Sequence, residues 1–145
     1  MRNLLTAVVM MSSVAAAGQV QRFLPTSQVV MIASAAARDE GYNPDAENIF
    51  LDNLRTKDGK EPYPGYASIG LYVDDHLLRS YSIRIGTGDV LDATSCTIFR
   101  YPDLLRIKQG LLKSFGAKET SLDQIASEVG CDQLQVLTRR TKPGK

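Results

Sequence analysis

From Gly65 to Tyr101 the chain reads GYASIGLYVDDHLLRSYSIRIGTGDVLDATSCTIFRY, and the periodicity of this stretch decides the fold. Ala67, Ile69, Leu71 and Val73 occupy one phase of a period-two pattern, and Tyr66, Ser68, Gly70 and Tyr72 occupy the other. Such alternation belongs to a strand with one buried face. Arg79, Tyr81, Ile83 and Ile85 resume it after Asp74-Asp75-His76. A third run follows Gly86-Thr87-Gly88-Asp89, from Val90 and Leu91 to Cys96, Ile98 and Phe99. Short breaks between alternating runs read as hairpins, which predicts an antiparallel meander of three to four strands. Both glycines of the Gly86-Thr87-Gly88 break are expected at positive φ. The other face of the strands, with Tyr66, Ser68, Gly70, Tyr72, Ser80, Ser82 and Arg84, is expected to be open. It reads as solvated surface or as a recognition face.

Upstream of the meander, Val29, Ile32, Ala33, Ala36 and Glu40 fall at helical spacing. Thr26 or Ser27 is expected to cap this helix, and Gly41 to stop it in the left-handed conformation. Its small residues allow close approach to a sheet, so it should lie across Ala67, Ile69, Leu71 and Val73. Tyr42-Asn43-Pro44-Asp45 is turn chemistry, and Ile49, Leu51 and Leu54 suggest a first strand. Downstream, Pro102-Asp103 opens a helix carrying Leu104, Leu105, Leu111, Leu112 and Phe115, with Gly116 as its stop. Thr120 to Asp123 has the form of a capping box ahead of Ile125, Ala126 and Val129. Residues 102–138 are thus predicted helical, and the basic stretch 139–145 is predicted to be a flexible tail.

At the start, Arg2 precedes an apolar run from Leu4 to Ala17 that ends in Ala15-Ala16-Ala17. These are the parts of a secretory signal peptide covering residues 1–17. A helix over that run would reach only about 21 Å, against roughly 30 Å of hydrocarbon, so it is too short for a membrane anchor. The remaining residues 18–145 are one domain's worth of chain. Lys and Arg number 17 against 16 Asp and Glu, and Arg2 is the one charge before residue 18. The rest is therefore neutral, with no electrostatic footprint for nucleic acid or an anionic membrane. Secretion or a periplasmic location is the expectation, with no membrane contact after signal cleavage. Cys96 and Cys131 are the chain's 2 cysteines. In an exported protein an even pair is a disulfide candidate, and two buried thiols are the alternative.

His76, the single histidine, sits in the Asp74-Asp75-His76 turn, where a solvated residue is the default. A Cys96–His76 nucleophile would require a free cysteine. No spacing of His and Cys suggests a metal site, and nothing suggests a cofactor. Gly86-Thr87-Gly88 lacks both the lysine of a phosphate loop and the third glycine of a dinucleotide fingerprint. Leu122 to Gly130 has the grammar of a first helix-turn-helix element, but Cys131 to Leu137 holds no basic residue for a recognition helix.

The Ala-rich helix ending Arg38-Asp39-Glu40-Gly41-Tyr42 precedes a meander containing Ser82-Ile83-Arg84-Ile85-Gly86-Thr87-Gly88-Asp89-Val90-Leu91-Asp92. Together they resemble PepSY-type domains, whose hallmark TGxVL hairpin Thr87 to Leu91 matches. The resemblance spans residues 26–101. It implies a helix on an antiparallel sheet (the cystatin/PepSY-like layout), a location outside the cytoplasm and regulation of a peptidase, with no catalytic residues to transfer. Together these features predict an α+β fold in an exported, non-enzymatic binding domain for a protein or peptide partner. Its candidate contacts are Tyr66, Tyr72, Arg84 and His76. The alternative is a small secreted enzyme or ligand carrier using the concave sheet face.

Overall fold

The computed structural model describes residues 24–138, so the expected signal peptide 1–17 and the expected flexible tail 139–145 lie outside the described residues. Helix α1 (Thr26–Glu40) begins without the side-chain cap expected of Thr26 or Ser27. Pro25 takes the N-cap position, and its carbonyl accepts from the Gln28 and Val29 amides. Gly41 ends the helix at φ 100°, as the sequence predicts. Strand β1 (Ile49–Asn53) follows, then β2 (Tyr66–Val73) and β3 (His76–Arg84). The third alternating run is a hairpin and not a single strand: β4 (Val90–Asp92) and β5 (Thr97–Phe99) flank a turn that puts Cys96 at φ 51°. Helices α2 (Pro102–Phe115) and α3 (Leu122–Val129) come next.

The α+β layout is as expected, but the sheet is larger than a meander of three to four strands. It has 6 strands in the order β1-β2-β3-β4-β5-β6. The stretch read as wholly helical, 102–138, ends in strand β6 (Gln135–Leu137), which pairs parallel to β5. The mixed sheet thus replaces the all-antiparallel one.

The two faces carry separate cores. On the inner face, Ala33, Ala36 and Ala37 of α1 lie against Ile69, Leu71, Tyr81 and Ile83, and Leu104 and Leu111 of α2 join them. Leu24, ahead of α1, also belongs here, 7% exposed, with its amide bonded to the Ile85 carbonyl. On the outer face, α3 sets Ile125, Ala126 and Val129 on Tyr66, Leu91 and Ile98. Burial of large aliphatics stabilises by about 1.5–3 kcal/mol each, so both faces contribute substantially. The chain therefore passes from one side of the sheet to the other between α2 and α3.

That passage is fastened at three places. Ser121, not Thr120, caps α3, accepting from the Gln124 amide at 3.2 Å. The cysteine alternatives resolve to a disulfide: Cys96 and Cys131 are bonded, with Cα atoms 5.8 Å apart, tying the β4–β5 turn to the end of α3. The third fastening is ionic. Asp89, buried after the glycine break, accepts from Thr87 Oγ1 at 2.7 Å and from Lys108 Nζ of α2 at 2.6 Å. Arg100 lies 3.3 Å from the same carboxylate, and Lys108 and Arg100 both also reach Glu119. Only Gly88 of the two break glycines has positive φ, at 77°. A Cβ there would stand 3.1 Å from Leu111 Cδ1, so α2 closes directly onto the turn.

Candidate functional site: the outer face of the sheet

The sequence places Tyr66, Ser68, Gly70 and Tyr72 on a face expected to be open, and the structure divides that face in two. The half toward α3 is closed. Tyr66 is 1% exposed, and its hydroxyl donates to Glu128 Oε2 at 2.6 Å. Arg84 donates to the same carboxylate through Nε at 2.9 Å and Nη2 at 3.0 Å. Arg84's hydrogen bonds, outweighing the opposing effect of burial, hold the Glu128 carboxyl down to about 2. Burial foremost, then the bond to Glu128, pushes the Tyr66 phenol well above its usual range. Two of the four candidate contacts, Tyr66 and Arg84, therefore lie in the seam beneath α3. This corrects the reading of them as open surface. The alternation of β2 shows that the strand has two faces, and leaves open that a later helix covers the second.

The other half carries an apolar pad with no helix over it. The register sets Phe50 of β1 opposite Tyr72 of β2, and Tyr72 opposite Leu77 of β3. The Phe50 and Tyr72 rings are stacked with centroids 4.9 Å apart and planes 3° from parallel. Gly70 makes the pad continuous. A Cβ at Gly70 would fall 2.8 Å from both Leu77 Cδ1 and Tyr72 Cε2, and 3.1 Å from Leu54 Cγ, so these side chains converge over bare backbone. A register shift at Leu71/Tyr72 leaves Leu78 without a cross-strand partner beside Leu77. Phe50 and Leu77 are 41% and 52% exposed. Exposed apolar groups scattered singly are ordinary, whereas a joined set marks an interaction site.

Of the other candidates, Tyr72 is a member of the pad, and His76 is exposed at its border, the first residue of β3. Phe50 and Leu77 were not among the candidates. A signal existed for Phe50: it is aromatic on the phase opposite to Ile49 and Leu51, where a solvated face calls for a polar residue.

A second cluster sits at the C-terminal end of α1. Tyr81 donates to Glu40, whose other oxygen lies 3.3 Å from Arg79. Burial, and then the Glu40 charge, pushes the neighbouring Tyr101 phenol up to about 12. These bonds hold the helix end on the sheet. Among the described residues no group of His, Cys, Asp and Glu could hold a metal ion, and no helix is long and apolar enough to cross a membrane.

Fold and site together define an α+β protein with a filled inner face and a half-covered outer one. No family model matches the chain, and no curated protein sequence matches it. Among solved structures, it is similar to a chain in a type VI secretion system effector–immunity complex from Pseudomonas protegens, with a TM-score of 0.66 and 22% identity. The match covers 77% of this chain and 92% of that chain. At that identity the likeness is one of fold.

Proposed function

We propose that this chain is an exported, non-enzymatic recognition domain that pairs with another protein through the open half of its outer sheet face. The observation that carries the reading is the Phe50–Tyr72–Leu77 pad, an apolar surface left bare on a sheet whose remaining faces are covered. Three further observations support it. The similar solved chain comes from a complex of two paired proteins. The leader sequence and the Cys96–Cys131 bridge fit an oxidising compartment, secreted or periplasmic. The resemblance to PepSY-type domains also points toward regulation of a protein partner, a peptidase among the classes it admits. The inner face, which a ligand carrier would need open, is filled by α1 and α2.

Photocrosslinking in the producing cells tests this. With p-benzoylphenylalanine in place of Phe50 or Leu77, a discrete adduct to a second protein is expected. The same group in place of Met31, on the exposed side of α1, should give none. Adducts at Met31 with none at Phe50 or Leu77 would overturn the reading.

A further inference from the structure

The reading above names a face but not what fits it. We infer that the partner presents cationic groups around an apolar centre, and that it docks on the face of the sheet and not along its edge. This inference rests on the pad being a docking face.

The charge pattern around the pad carries the first point. Glu47, Asp74 and Asp75 are exposed on the segment before β1 and on the β2–β3 turn. The nearest cations are engaged or distant. Arg79 is held by Glu40 and Asp92. Arg55, Lys57 and Lys60 belong to the loop after β1, at the opposite end of that strand from the turn. The rim at the turn end is thus anionic around an apolar centre, in a chain whose overall charge is close to neutral. Complementary potentials are what specify a partner at such a surface.

The turn itself strengthens the point. Val73 pairs with His76, so Asp74 and Asp75 form a two-residue loop, and both have positive φ, at 48° and 64°. That geometry favours Asn-Gly, because glycine adopts it without strain. Two adjacent carboxylates there add repulsion to backbone strain, and Asn48 Nδ2 donates to Asp74 Oδ1 at 3.2 Å to hold one of them. Strain of this kind concentrates at functional sites. Both negative charges thus stand together at the tip of the hairpin, beside Leu77 of the pad.

The edge of β1 argues for docking on the face. The Asp74 amide bonds to the Asn48 carbonyl and the Leu54 amide to the Ser68 carbonyl, so even-numbered β1 residues point their backbone at β2. Ile49, Leu51 and Asn53 therefore point outward. The Ile49 amide is already taken by the Ala46 carbonyl and the Asn53 amide by its neighbour Asp52 Oδ1, at 2.7 Å. Two of three outward donors are occupied within the chain, which blunts strand addition. A two-fold contact that brings the two β2–β3 turns together would set the Asp74–Asp75 rim against its own image.

The test uses the oxidised chain, isotopically labelled, and two synthetic twelve-residue peptides, one alternating Lys and Leu and one alternating Glu and Leu. The Lys–Leu peptide is expected to move the resonances of Phe50, Asp52 and Tyr72 through Leu78. Its affinity should fall as salt rises, and by up to about fivefold for each charge removed in Asp74→Asn and Asp75→Asn. Leu77→Ser should abolish the same shifts. Equal shifts from the Glu–Leu peptide would overturn the charge assignment while the face stands. Shifts confined to Ile49, Leu51 and Asn53 amides would mean edge pairing. Concentration-dependent doubling of mass that moves the pad resonances would make the occupant a second copy. A Lys–Leu peptide that leaves the pad unmoved, while the Phe50 and Leu77 crosslinks still form, would overturn the cationic partner alone. Loss of both would sink the docking face as well.

Discussion

Glu128→Ala removes the acceptor that the closed half of the outer face shares among three donors. Tyr66 is 1% exposed, so its hydroxyl would be left buried without its partner, a loss of about 1–3 kcal/mol. The Arg84 side chain, 20% exposed, would lose a two-point pairing that partial solvation limits to about 1 kcal/mol. The variant should therefore unfold about 2–4 kcal/mol more readily, measured by urea denaturation at pH 7, with a melting temperature lower by roughly 10 °C. The pH dependence gives an independent check. Glu128 is held at about 2 from an ordinary 4.5, so its contribution is complete above pH 4.5 and is lost as pH falls through 2. The full linkage value would be about 3 kcal/mol, and screening at this half-open position reduces it to about 1–2 kcal/mol. Glu128→Gln should lose that fraction of the wild type's acid sensitivity. Adding Tyr66→Phe to Glu128→Ala should cost little more, since the two act as one unit. A Glu128→Ala loss under about 0.5 kcal/mol, or identical acid sensitivity in Glu128→Gln and the wild type, would refute the assignment of α3's docking to this seam.

Reducing the Cys96–Cys131 bridge, which spans a sequence separation of 35, should cost about 3–4 kcal/mol. Amide exchange should rise first in α3 and β6, and uniform acceleration through β2 and β3 would contradict this. Lys108→Met strips the Asp89 carboxylate of its buried ammonium partner but leaves Arg100 and Thr87, so a loss of about 2–4 kcal/mol is expected in chemical denaturation. An unchanged midpoint would show that Arg100 suffices. Combining Asp74→Asn with Asp75→Gly should raise stability by about 1 kcal/mol by relieving the turn, while weakening the Lys–Leu peptide. Greater stability with unaltered peptide affinity would separate the turn from recognition.

The parts of the fold legible in the sequence are those with local grammar. Val29, Ile32, Ala33 and Ala36 declare a helix by spacing, and Ile69 and Leu71 declare a strand by alternation. The parts that escaped depend on contacts far along the chain. Gln135-Val136-Leu137 is too short to display a period, and it is a strand because β5 offers it a ladder. Tyr66 stands between Gly65 and the small residues Ala67 and Ser68. It reads as surface until Ile125, Ala126 and Val129 supply a cover and Glu128, 62 positions away, an acceptor. Three apolar residues on one side of a short helix announce that it packs on something, not on what. The pad was half visible. Tyr72 was named, but its neighbours Phe50 and Leu77 meet it only through the register and the shift at Leu71/Tyr72. The cysteine pairing was legible from parity once an exported chain was assumed.

The parallel pairing of β6 with β5 has a bearing on how the chain is made. Strands β1 to β5 join neighbours in sequence, so their contacts are local and form early. Strand β6 can close only after residues 100–134 have wound from the inner side of the sheet to the outer. Until then Tyr66, Leu91 and Ile98 lie bare alongside Phe50, Tyr72 and Leu77, and the whole outer surface of the nascent sheet is one continuous sticky plane. The interval before the last segment arrives is when the newborn molecule is most vulnerable to clumping. Closing the Cys96–Cys131 bond fixes the end of α3 over that surface and ends its exposure.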